Sequence, residues 1–244
     1  MIKSKMKRHL SVLMLFTRST LYKFLLIILT MAAADGLLLF LAFRNAGIFT
    51  GFIGLDEIIA AAHLGAVFAI CFLLLCALLC LTGCEFGSKQ GYTLSRLRVS
   101  HRAVIFWQIV SNAGHFFLFW AAQTGIILAF CSFFNAQYQQ PQATMLVFYQ
   151  NNFLHSLLPL AEWSRFIRNV ILLIALAITA ACFPVRMRAG KKPIAMFLII
   201  YFCIQLFSPD IGLGADVMLI VFSAIITFAA ARGIFREADD EAVY

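Results

Sequence analysis

Long apolar runs separated by short polar stretches set the rhythm of this chain. A helix needs about 20 mostly apolar residues, rising about 1.5 Å each, to cross the hydrocarbon core of a bilayer. Six stretches are candidate spans: residues 24–43, 58–82, 104–130, 167–185, 193–207 and 213–231. The last two are short and flank the sequence SPDIGLGAD, where Pro209 blocks the fifth helix because it lacks an amide donor and clashes with the preceding turn. Only 16 residues separate Lys192 from Pro209. As helix they reach about 24 Å against a core of about 30 Å, so the outer turn at 208–212 is expected to dip into the membrane. The pattern predicts one all-α membrane domain, residues 1–244, with six transmembrane helices.

Composition removes the other classes. The chain is 63% hydrophobic and 12% charged, with mean hydropathy +0.93, whereas soluble domains are about a quarter charged. A water-soluble fold, a disordered chain, a coiled coil and a disulfide-stapled module are excluded. The net charge of +8 does not indicate nucleic acid, because its placement follows the spans. Lys3, Lys5, Lys7, Arg8, Arg18 and Lys23 precede the first span. Lys89, Arg96, Arg98 and Arg102 lie between the second and third, Arg186, Arg188, Lys191 and Lys192 between the fourth and fifth, and Arg232 and Arg236 follow the sixth. Only Arg44, Arg165 and Arg168 fall on the other side. Basic residues gather on the cytoplasmic side of membrane proteins, so both termini are predicted to be cytoplasmic, in agreement with an even span count. MAAADG resembles a signal-peptide cleavage site, but the apolar run resumes at once with GLLLFLAF.

Residues 1–23 place Leu10, Leu13, Met14 and Phe16 among basic residues at near-helical spacing. This predicts a cytoplasmic amphipathic helix lying in the interface, cations on headgroups and apolar side chains in the acyl boundary. A connection at 131–166 begins polar and turns apolar from Met145 to Trp163. It is expected on the outer leaflet, with Trp163 at headgroup level.

Inside the spans a few polar residues stand out. Asp35 sits mid-span, where an ionised carboxylate costs about 2.5–3.5 kcal/mol on insertion scales, so it should face protein or water. The small residues Ala32, Ala33, Ala34 and Gly36 around it would let another helix approach closely. Gln108, Asn112, His115 and Gln123 project within an arc of about 80° on one face of the third span. That stripe should pack on neighbouring helices or line a pathway. His115 and Asp35 lie at equal depth from the inner ends of their spans as drawn, which would let them meet. Cys76, Cys80 and Cys84 repeat on one face, a spacing open to soft-metal ligation but better suited to small-residue packing. No zinc spacing or HExxH is present.

The connection at 83–103, GCEFGSKQGYTLSRLRVSHRA, is too long for a turn and apolar enough to dock. Glu85, Gly91, Thr93, Leu94, Leu97, Val99, Ser100 and Arg102 stand where the transmembrane subunits of type-2 ABC transporters carry an acidic helix end, a Gly-Thr-Leu-like run and a Pro-Val-Ser-Arg-like element, with Arg98 in the proline position. The chain resembles that family here and, loosely, in its six-span layout and basic amphipathic start. The resemblance implies a permease subunit of an exporter for a peptide or amphipathic small molecule, pairing with itself or a related permease in a bacterial cytoplasmic membrane. It also implies a coupling helix within 88–102 that docks on a separate ATPase subunit through Leu94, Arg96, Leu97, Arg98 and Val99. The chain has no GxxxxGK[ST] phosphate-binding loop, so ATP and magnesium are expected on that partner, with no cofactor, metal or catalytic site in this chain. A six-span immunity or scaffold protein without ATP coupling is the competing reading. Reporter fusions after Lys192 and after Tyr244 should both read as cytoplasmic, and an external signal from either would refute the predicted orientation.

Overall fold

The computed structural model describes residues 2–49, 55–82, 100–138, 141–159, 162–188, 190, 192–207 and 212–241, and all regular structure among them is helical. In chain order the helices are α1 (Ile2–Phe49), α2 (Leu55–Ala61), α3 (Leu64–Thr82), α4 (His101–Tyr138), α5 (Pro141–Gln150), α6 (Asn152–Leu157), α7 (Trp163–Arg188), α8 (Lys192–Gln205) and α9 (Leu213–Glu241). Five of these, α1, α3, α4, α7 and α9, are long and apolar enough to cross a membrane. The chain is a multi-pass membrane protein.

Several elements differ from the pattern in the sequence. No break separates an interfacial helix from the first span, because α1 runs for 48 residues through position 23. Val12 and Phe16 of its early part pack against Val104 and Trp107 at the start of α4, so protein covers Phe16, which lipid was expected to cover, while Met14 remains exposed. The second span is divided at His63, whose left-handed φ of 48° turns the chain between α2 and α3. The third extends to Tyr138, beyond the boundary expected at 130, because the polar residues after Phe130 are compatible with a helix emerging from the core. The predicted fifth span corresponds to α8, 14 residues long. At about 21 Å it is shorter than the hydrocarbon core.

Tertiary contacts fix the directions of the helices. Ile105 near the start of α4 packs with Cys182 near the end of α7, whereas Trp120 of α4 meets Phe166 at the start of α7. These two helices are therefore antiparallel. Asp216 at the start of α9 bonds Arg168 at the start of α7, and Arg186 at the end of α7 donates to the Ala230 carbonyl of α9. So α9 is parallel to α7, and the short α8 with its flanking residues carries the chain back from the end of α7 to the start of α9. The ends of α3, α7 and α9 and the starts of α1 and α4 thus gather at one end of the bundle, which is also where the basic residues concentrate.

The main core is aromatic. Phe68 of α3 contacts Phe72 within its own helix, Phe119 of α4, Phe153 of α6 and Phe207 after α8. The apolar part of the 131–166 connection also enters this core, since Val147, Phe148, Leu154 and Leu157 are buried in it. Short helices α5 and α6 thus close the far end of the bundle, while Trp163 is exposed. Asn151 caps α6 by accepting hydrogen bonds from the amides of Phe153 and Leu154 at 3.1 and 3.2 Å. Because Phe68 links four elements, Phe68→Ala should leave a cavity and destabilise the protein by about 3–5 kcal/mol. Thermal unfolding in detergent would measure it, and an unchanged midpoint would show that the aromatic cluster is not a main stabiliser.

Candidate functional site

Several hydroxyls inside the bundle satisfy themselves locally. Thr20, Thr124 and Thr179 each donate to a carbonyl four residues earlier at 2.8 to 3.0 Å. Asn, Gln, Asp, His and Arg project further and must find partners on other helices, so they mark where the bundle has polar chemistry. Among the described residues they form a stripe along α4 and a charged cluster at the far end.

The stripe contains Gln108, Asn112, His115 and Gln123, all of which are buried. His115 Nδ1–H donates to the Ser111 carbonyl at 2.7 Å, and Nε2 stands 3.1 Å from the Thr20 hydroxyl. The Phe24 ring meets the imidazole edge-on at 4.8 Å. Asn112 Nδ2 reaches the Ala177 carbonyl of α7 at 3.5 Å, and Gln108 Nε2 has no hydrogen-bond partner.

Asp35 has no exposed surface. It does not meet His115, as equal depth had suggested. Counting from residue 24 misplaces the inner end of α1, since that helix runs unbroken through residue 23 and already packs on α4 at Val12 and Phe16. This register sets Thr20 opposite His115 and brings Asp35 beside the Gln123 amide of α4. Cys71 of α3 lies near enough to feel the carboxyl's charge. At Gly36 no helix among the described residues approaches closely. A side chain at Gly36 would meet nothing within 4 Å, and Gly36 instead lines a cleft of about 400 Å³ with Phe40, Phe43, Phe130, Phe133 and Phe134. The cleft lies between the later halves of α1 and α4, and phenylalanine makes its walls apolar.

The far-end cluster was not read from the sequence, where Arg165 and Arg168 counted only as cations on the outer side. Arg168 is completely buried, and its guanidinium donates to Asp216 Oδ1 at 2.5 Å, with the Ser164 hydroxyl 3.3 Å from Oδ2. Arg165 pairs with Glu162 at 2.5 Å, and His155 stands 3.9 Å from the same carboxylate. Asn169 Nδ2 donates to the Ser156 carbonyl at 2.9 Å. A usable signal existed: one cation and one anion, each just inside the same end of its span, cannot both remain in hydrocarbon unpaired.

Cysteine contributes little chemistry. Cys76 Sγ and Cys203 Sγ of α8 are 3.7 Å apart, Cys80 packs with Ala180 and Phe183, and Cys84 lies outside the described residues. Among the described residues no group of three or more His, Cys, Asp or Glu is placed to hold a metal ion. The coupling residues Leu94, Arg96, Leu97, Arg98 and Val99 also lie outside the described residues, as does most of the 208–212 turn. Comparison with protein-family models, with curated proteins and with solved structures gives no match.

The Arg168–Asp216 bond ties the start of α9 to α7. Removing one partner of a buried pair leaves an uncompensated charge and costs about 3–5 kcal/mol, whereas replacing both by apolar residues is often neutral. Arg168→Leu should therefore lower the unfolding temperature sharply, and Arg168→Leu with Asp216→Leu should recover most of the loss. Equal damage from the single and double variants would mean that packing, not charge pairing, holds that end together.

Proposed function

We propose that this chain is the membrane-spanning permease subunit of a type-2 ABC exporter, acting as a dimer in a bacterial cytoplasmic membrane and driven by a separate ATPase. The carrying observation is the resemblance of residues 85–102 to the coupling element of that family. That segment joins the end of α3 to the start of α4 at the end of the bundle where the basic residues gather. An ATPase on the cytoplasmic face would meet it there. Ser100 begins α4, its carbonyl accepting from the amides of Ala103 and Val104 at 3.0 and 3.2 Å, so force on the connection would pass directly into a 38-residue helix. That helix carries the polar stripe. An interior with Asp35, Gln108, Asn112, His115 and Gln123 suits an amphipathic substrate or a peptide, whose polar groups need partners inside the membrane.

Docking requires apolar anchors to fill a groove and cations at its rim, because anchors dominate binding energy while rim charges mainly steer. Leu94, Leu97 and Val99 are assigned as anchors, Arg96 and Arg98 as rim. Leu97→Asp would bury an unpaired charge in the groove. The variant should insert normally but lose co-purification with the ATPase, or uncouple ATP hydrolysis from export. A fully coupled complex carrying Leu97→Asp would remove the basis of the exporter reading and leave a membrane scaffold as the better one.

A further inference from the structure

Asp35 and Asp216 are both buried, and their surroundings are opposite. Asp216 has the Arg168 guanidinium against it. Among the described residues nothing basic is placed against Asp35. The helices packed on α1 are α2, α3 and α4. From α4 comes the neutral Gln123 amide; from α3 comes the Cys71 thiol; the two acids of α2, Asp56 and Glu57, are exposed and carry the same sign. His115 is committed to Ser111 and Thr20, and Thr20 lies about 22 Å earlier along α1. On α1 itself the flanking cations, Lys23 and Arg44, are exposed and stand about 18 and 14 Å along the axis.

Among the described residues, four polar atoms of this pair have no hydrogen-bond partner: Asp35 Oδ1 and Oδ2, and Gln123 Nε2 and Oε1. They lie side by side, and their chemistry is complementary in only one protonation state. An ionised carboxylate only accepts, so it could take a hydrogen from the Gln123 amide nitrogen but would face the amide oxygen with a second acceptor. A protonated acid offers one O–H donor and one carbonyl acceptor, matching both halves of the amide. All four orphaned atoms are then satisfied, and no unpaired charge is buried.

We propose that Asp35 is a proton-binding site inside the membrane. Its carboxyl holds a proton at neutral pH and, as a neutral acid, forms a two-bond clasp with Gln123: Asp35 O–H donates to Gln123 Oε1, and Gln123 Nε2–H donates to the acid carbonyl. The clasp joins α1 to α4 whatever the bundle transports. Loss of the proton removes one of its two hydrogen bonds and sets an acceptor against an acceptor, so protonation of this group and the α1–α4 contact are linked.

Infrared spectroscopy of the whole protein in lipid nanodiscs, with aspartate ¹³C-labelled at the side-chain carboxyl, reads this directly. At neutral pH the labelled protein should show the carbonyl stretch of a protonated aspartic acid, identified by its isotope shift. The band should be lost completely in Asp35→Asn, whose amide can pair with Gln123 in the same way and preserve the fold. It should move to higher frequency in Gln123→Leu, because a carbonyl released from a hydrogen bond stiffens. An absent acid band, a band that persists in Asp35→Asn, or a band unmoved in Gln123→Leu would each overturn the assignment. Should Asp35→Asn fail to insert, the Gln123→Leu spectrum decides alone.

Discussion

Hydrocarbon offers no hydrogen-bond partner, and from that constraint the arrangement of this bundle follows. Helices satisfy their own backbone. Short hydroxylated side chains then satisfy themselves on the preceding turn, as Thr17, Thr30 and Thr82 do, and they impose nothing on their neighbours. Longer polar side chains cannot. Asn112 reaches α7, His115 reaches α1, and Arg168 reaches α9. Each such contact fixes the rotation and register of two helices at once. Apolar packing alone is a weaker constraint in lipid, because an exposed leucine is as well solvated by acyl chains as by another leucine.

The two ends of the bundle use this constraint differently. At the far end the polar groups are charged and paired, with Arg168 on Asp216 and Arg165 on Glu162. Short helix α6 adjoins them through His155 on Glu162 and the Ser156 carbonyl on Asn169. Along the middle of α4 the groups are amides and an imidazole, and several of their atoms have no partner among the described residues, among them Gln108 Nε2. A paired charge holds one arrangement strongly, since separating it exposes both ions to low dielectric. A neutral amide can exchange partners at lower cost. The far end is therefore held in one arrangement, while the α4 stripe keeps amides able to change partners.

Much of this was legible from the chain. The apolar runs locate the five long membrane-compatible helices, because hydrophobicity at that length has few other uses. The stripe on α4 could be read from helical spacing, since Gln108, Asn112, His115 and Gln123 share a face whatever surrounds it. Contacts between helices were not legible. Depth counting paired Asp35 with His115, but register depends on where α1 begins to pack, and Val12 and Phe16 engage Val104 well before residue 24. Small residues near Asp35 suggested close helix approach. Instead Asp35 turns inward while Gly36 opens onto the phenylalanine cleft, because neighbours on a helix differ by about 100° in direction. The Arg168–Asp216 pair escaped for a related reason: its members are 48 residues apart, and each alone reads as a span boundary.

Burial is also distributed unevenly across the helices. The apolar window of α7 is largely covered, whereas those of α1 and α9 are mostly exposed, so α7 is the staff around which the bundle is built. It carries Arg168, Asn169 and Thr179, all buried. The outward face of α9 consists of large side chains, Met218, Val221, Phe222, Ile225 and Phe228. Such a face suits acyl chains; close helix–helix contact in membranes favours small residues that let backbones approach. On α1 the outward side includes Ala33 and Gly36, and the surface there is recessed where α9 is bulky. The α1–α4 seam carries two of the bundle's polar contacts, Thr20–His115 at one level and Asp35–Gln123 further along, so a peripheral helix with sparse apolar burial is held to the interior by polar groups.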